Sequence, residues 1–138
     1  MSSELQAQLS QLMPDHVAVT NTVTLDMAAT NERYMPDVLV VSTNVLDTDE
    51  WLFAADRVEL VAEIVSPSSA DNDRETKVHG CAASSVPIYL LVDPLERSVT
   101  LFSEPAGERY QQMHRVLFGT GIALPEPYSG KIDTSVFG

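Results

Sequence analysis

Cysteine occurs once in the 138 residues, at Cys81, so no intramolecular disulfide can form. A lone cysteine fits a reducing compartment, and its simplest reading is a small buried apolar residue. The three histidines, His16, His79 and His114, are scattered, and with one cysteine they form no C-x-x-C or H-x-x-x-H arrangement. Zinc chemistry is therefore unsupported. Positive charge is scarce: 8 Lys and Arg against 20 Asp and Glu leave a net charge of −12. That balance argues against a protein coated in nucleic acid or held on an anionic membrane, although a small basic patch inside an acidic shell stays compatible with it. No apolar run approaches the roughly 20 residues needed to span a bilayer. The first residues, MSSELQAQLSQLMPD, have neither a basic start nor an apolar centre, so a signal peptide is not expected and a cytoplasmic location is. Gly119-Thr120-Gly121 is followed by no lysine and reads as a turn rather than a phosphate loop. The serines of Ser66-Pro67-Ser68-Ser69 lack a nucleophile elbow and a histidine base.

Apolar residues make up 44% of the chain and charged residues 20%, the balance of a globular protein with one core, here taken as one domain over 1–138. Leu5, Leu9, Leu12 and Met13 recur at helical spacing after Ser2 and Ser3, either of which can cap the helix, and Pro14 stops it. Val17 to Met27 alternates as a half-buried strand with an interruption near Asn21. Asn31-Glu32-Arg33 reads as a turn, Met35 to Ser42 as a strand with Pro36 at its start, and Val45 to Asp56 as irregular. Val58 to Val65 and Val86 to Val92 are nearly unbroken apolar runs, the pattern of strands covered on both faces. Between them, Ser69 or Asp71 can cap a helix reaching about Ala83. Ser98 to Ser103 and Gly107 to Phe118 read as hairpin strands. The expected fold is a mixed α/β (α+β) domain. Its central mixed sheet has a parallel pair around the second helix, and the sheet is flanked by an N-terminal helix and a helix after the third core strand, with C-terminal hairpins.

Two carboxylates sit where an apolar strand should not want them. Glu63 interrupts Val58 to Val65, and Asp37 stands at the head of Val38-Leu39-Val40-Val41. Burying them is costly unless something positive meets them. A divalent cation such as Mg²⁺ is one such partner, since it takes oxygen ligands and commonly uses one or two carboxylates plus water. Lys77, on the helix after Glu63, can reach the same place if that helix packs back on its strand. Plainer readings stand beside this one. Asp37 could bond an N–H at a turn, Glu63 could pair with Lys77 or Arg57, and Lys77 could lie on a solvated helix face. His79, two residues from Lys77, is read as a surface or core histidine.

The ordered blocks "PDVLVV", "ELVAEIVSPSS", "DRETK" and "VPIYLLVDP" resemble the Uma-type proteins, also called domain of unknown function 820, of the restriction-endonuclease-like PD-(D/E)XK superfamily. The resemblance runs from about Met35 to Asp93 and loosely on to "SVF". It implies a restriction-endonuclease-like core with a metal site where two central strands diverge. Asp37 matches the aspartate of the PD element and Glu63 the acid of (D/E)XK. The lysine of that element would fall at Val65, and Lys77 matches a position to which it has migrated. The resemblance further implies that the Ile64 backbone carbonyl joins Asp37 and Glu63 as a ligand of Mg²⁺ or Mn²⁺. It places Asp73 and Arg74 in the supporting block, with Asp73 holding Lys77. The region "VHGCAASSVPIY" departs from the aromatic residue and glycine common there in the family.

The function this implies is hydrolysis of DNA phosphodiester bonds, with Asp37, Glu63 and Lys77 as catalytic residues. The alternative is an inactive interaction or regulatory domain on the same scaffold, motivated by the net charge of −12 and by the few cations near the trio: Arg33, Arg57, Arg74 and Lys77. A homodimer formed through Trp51, Leu52 and Phe53 is a further expectation.

Overall fold

The computed structural model describes residues 1–21, 24–27, 32–43, 52–54 and 57–137. The first helix, α1 (Ser2–Leu12), buries Leu5 and Leu9, four residues apart on one face. Neither serine caps it: Met1 occupies the cap position, and its ammonium lies 2.8 Å from Glu4. The short strands β1 (Val17–Thr20), β2 (Thr24–Met27), β3 (Glu32–Tyr34), β4 (Val38–Ser42) and β5 (Leu52–Ala54) precede the long β6 (Val58–Ile64). A wide π-type turn (Asn72–Thr76) leads into α2 (Lys77–Ala83). There follow β7 (Ile88–Asp93), β8 (Ser98–Ala106), β9 (Arg109–Leu117), β10 (Ile122–Ala123), β11 (Lys131–Ile132) and a 3₁₀ turn (Thr134–Phe137).

Six strands form the main sheet in the order β1-β4-β6-β7-β8-β9. Only β6 and β7 run parallel, joined by the crossover that contains α2, and the other pairs are antiparallel. The architecture is therefore the mixed α/β fold expected, with the parallel pair central and a C-terminal hairpin. One face of the sheet, with Leu60, Ala62, Leu90 and Val92, packs against Leu5 and Leu9 of α1 and against Ile122, Ile132 and Phe137. The opposite face, with Leu39, Val61, Val65, Tyr89 and Leu91, packs against Val78 and Cys81 of α2. Covering on both sides is why β6 and β7 read as unbroken apolar runs. Each fully buried leucine there contributes about 1.5–3 kcal/mol. Cys81 is completely buried in this second cluster, as a small apolar residue. At the edge, β9 carries Arg109, Gln111, Gln112, His114 and Arg115, all exposed, a polar border that discourages pairing with another sheet.

Several local expectations are corrected by long-range pairing. The Val17 to Met27 strand is two strands in different sheets, β1 against β4 and β2 against β3 and β5. Glu32 and Arg33, expected in a turn, belong to β3, because Tyr34 finds a cross-strand partner in Leu25. The strand expected from Met35 begins at Val38, after Pro36, which has no N–H for the ladder. Within the segment expected to be irregular, residues 52–54 pair in parallel with β2. Trp51 lies outside the described residues, and so do the side chains of Leu52 and Phe53, on which the expected dimer patch depends. Neither Ser69 nor Asp71 gives the second helical segment a side-chain cap. Among the described residues no helix is long and apolar enough to cross a membrane.

Candidate active site

The antiparallel register of β4 and β6 pairs Val38 with Ala62 and Leu39 with Val61. One residue further, the same register sets Asp37 opposite Glu63, on the face that α2 covers. There β4 ends, and the Asp37 carboxylate takes over from the backbone: the Ile64 N–H donates to Asp37 Oδ2 at 2.7 Å. A buried amide that would have lost its ladder partner is thereby satisfied. At the other end of β6 the register slips between Val40 and Val41, leaving Glu59 as an extra residue that reaches the Tyr128 hydroxyl at 3.3 Å. A cleft of about 450 Å³ opens at that end, lined by Glu59, Ile88, Ser103 and Tyr128 among others, and Asp37, Glu63 and Lys77 take no part in it.

Lys77 is brought back over β6 by the crossover. The π-type turn closes with the Lys77 N–H bonded to the Asn72 carbonyl five residues earlier. Such insertions re-aim a helical side chain and recur at functional sites. The Lys77 Nζ lies 2.9 Å from Asp73 Oδ1 and 3.4 Å from Glu63 Oε2. Only 14% of the lysine side chain is exposed, against 3% for Glu63 and 1% for Asp73. It is no solvated helix face. Asp37, Glu63 and Lys77 thus lie together where β4 and β6 part, and Asp73 joins them through the lysine.

Burial dominates the electrostatics of Glu63. Desolvation pushes its carboxyl up to about 8, the Lys77 ammonium pulls it down, and the charges of Asp37 and Asp73 push it up again. Its Oε1 is buried and accepts no N–H or O–H among the described residues, while a hydrogen bond shared with the Asp37 carboxyl adds to the upward shift. Desolvation alone would lower Lys77, but Glu63 and Asp73 outweigh it, so the ammonium is held above its usual range.

Two plainer sequence readings are realised in the same geometry: Asp37 does bond an N–H, and Glu63 does pair with Lys77. Arg57, the other partner considered for Glu63, is exposed. Arg74 stands apart from the cluster. Its guanidinium grips Asp93 at the end of β7 at 2.8 and 3.1 Å and approaches Glu96 at 3.8 Å. Asp93, buried and also accepting the N–H groups of Leu95 and Glu96, escaped the sequence reading. The Asp93-Pro94 pair was its only signal, and that signal reads as a turn. Ser69 and Tyr89 escaped it too: the Ser69 hydroxyl donates to Asp73 Oδ2 at 2.6 Å, and the Tyr89 hydroxyl donates to the Asp73 carbonyl at 2.8 Å. His79 is exposed and contacts the Glu108 carbonyl at 2.8 Å, outside the cluster.

A family model named Uma2, described as "Putative restriction endonuclease", matches residues 1–133. Among solved structures, the chain resembles "a putative nuclease belonging to DUF820" from Anabaena variabilis ATCC 29413. The TM-score is 0.71 and the identity 16%, over 90% of this chain and 69% of that one. At that identity the likeness is one of fold. No curated protein matches the chain. With the family model covering nearly the whole sequence, the chain belongs to the Uma2 family of restriction-endonuclease-like proteins.

Proposed function

We propose that the protein is a nuclease that hydrolyses DNA phosphodiester bonds with the help of Mg²⁺ or Mn²⁺ held beside Asp37 and Glu63. The observation that carries this reading is a buried Glu63 set beside Asp37 and Lys77, its carboxyl raised mainly by desolvation with Asp37 adding to the shift. No cluster of three or more His, Cys, Asp or Glu side chains suited to a metal occurs among the described residues. The donor set we assign is Asp37, Glu63, the Ile64 main-chain oxygen and water, a set of oxygen ligands that suits Mg²⁺. When bound, the cation supplies positive charge to the phosphoryl oxygens and acidifies water.

The chain's own residues do the rest. Asp37, tied to the Ile64 amide, keeps one carboxylate fixed against the end of β6. Glu63, its proton held by burial, would lose it to the solvent in order to serve as a ligand. Lys77, kept charged by Asp73, offers an ammonium to the charge that builds on phosphorus and orients the attacking water. A lysine so paired is an electrostatic group rather than a general base.

Plasmid nicking tests the reading. Wild-type protein with Mg²⁺ or Mn²⁺ is expected to nick supercoiled DNA, and Glu63→Gln and Lys77→Ala are not. Equal nicking by all three would mean that the activity comes from elsewhere.

One observation favours the second reading, a non-catalytic interaction domain. Of the four cations expected to meet phosphate, three already face carboxylates: Arg33 with Asp26 at 3.8 Å, Arg74 with Asp93, and Lys77 with Asp73 and Glu63. Absence of both Mn²⁺ binding and nicking would decide for it.

A further inference from the structure

Resting on the nuclease reading for its activity arm alone, we infer that Ser69 is a positioning residue that, acting through Asp73, sets where the Lys77 ammonium stands over Glu63. The contacts run in one line. The Ser69 hydroxyl donates to Asp73 Oδ2 at 2.6 Å, the other oxygen of Asp73 lies 2.9 Å from Lys77 Nζ, and Nζ lies 3.4 Å from Glu63 Oε2. Ser69 is itself held, since its oxygen accepts the Ser66 N–H at 3.1 Å and meets the Ser66 hydroxyl at 2.9 Å. Tyr89, from β7, fixes the backbone of Asp73 from below at 2.8 Å.

The hydroxyl of Ser69 is not consumed in starting the helix. A capping serine accepts a free N–H two or three residues on. Here the Asp73 N–H already bonds the Ser69 carbonyl at 2.8 Å, and the Ser69 hydroxyl turns instead to the Asp73 carboxylate. Removing it leaves that backbone bond in place but frees the carboxylate to rotate about its last bond. The contact of Asp73 Oδ1 with Lys77, at 2.9 Å, depends on that rotation being fixed. Once Asp73 turns, the ammonium loses the contact that fixes it beside Glu63, and the group that should face a substrate is displaced.

The test uses the full chain in two arms. In the first, the Lys77 ammonium protons are followed by ¹⁵N-detected magnetic resonance in EDTA. Ser69→Ala is expected to speed their exchange with water at least about tenfold and to shift the Nζ resonance, while Ser69→Thr keeps both near wild type. In the second, Ser69→Ala is expected to lower the Mn²⁺-dependent nicking kcat by about 10–100-fold with KM little changed, the penalty of a misplaced catalytic group, and Ser69→Thr to restore it. Should Ser69→Ala fail to fold, Ser69→Cys removes the strong donor at nearly the same size. An unaltered Lys77 signal in a folded Ser69→Ala protein would overturn the inference. A wild type that never nicks DNA would overturn the nuclease reading instead, and the ammonium signal alone would then decide the role of Ser69.

Discussion

Asp37 accepts the backbone N–H of Ile64 at 2.7 Å, and so it is a fastener between β4 and β6 as well as an acid at the proposed site. The two roles separate on substitution. Asp37→Asn keeps an oxygen for the amide and loses the charge, so it should fold with stability within about 1 kcal/mol of wild type yet lose nicking. Asp37→Ala leaves a buried amide unpaired and should be less stable by about 1–3 kcal/mol. Urea unfolding of the two variants checks this, and equal stabilities would show that the bond carries no weight.

Glu63 makes stability depend on pH in an unusual direction. Its folded value, about 8, lies above the ordinary 4.5, so the native state holds a proton that the unfolded chain has lost between those values. Stability from this group is complete below about pH 4.5 and is lost as the pH climbs to about 8. Glu63→Gln removes the titration. In EDTA it should match wild type near pH 5 and exceed it by roughly 2–4 kcal/mol near pH 8.5, because each pH unit between the two values is worth about 1.4 kcal/mol. Parallel curves for the two proteins would refute the assignment.

Cation binding should show the same proton. Below pH 8 a divalent cation must displace it, so Mn²⁺ affinity should rise up to about tenfold per pH unit between pH 6 and 8. Titration calorimetry at pH 6.5 in buffers of different ionisation enthalpy should count close to one proton released per ion. Glu63→Gln should abolish both the release and the pH dependence.

Duplex DNA should bind weakly and report few phosphate contacts. With at most four candidate cations, the slope of log affinity against log salt should be no steeper than about −4. Addition of Ca²⁺, which neutralises the carboxylates of the site, should strengthen binding at fixed ionic strength. A steep slope, or binding unaffected by any divalent ion, would point to a basic surface elsewhere.

Arg74 should behave as a strut. Arg74→Met removes the clamp on Asp93 and should lower the thermal midpoint while leaving Mn²⁺ affinity near wild type, because its partners are Asp93 and Glu96 and not Glu63. A selective loss of cation binding with the midpoint intact would give Arg74 the supporting role that the sequence resemblance implied.

The chain itself determined the framework: two doubly covered strands announced by Val58 to Val65 and Val86 to Val92, the parallel pair implied by the helix between them, and the two misplaced acids at Asp37 and Glu63. These are legible because burial imposes a local pattern on residue type. What the tertiary structure alone decided are the relations with no local pattern. Tyr34 is a strand residue because Leu25 lies across from it, Arg74 serves Asp93 rather than the site, and Ser69 reaches a carboxylate instead of capping a helix. A serine or an arginine carries the same hydrogen-bonding groups wherever it stands. Which partner it meets depends on how segments far apart in the chain come to lie side by side, and that is fixed only when the whole core packs.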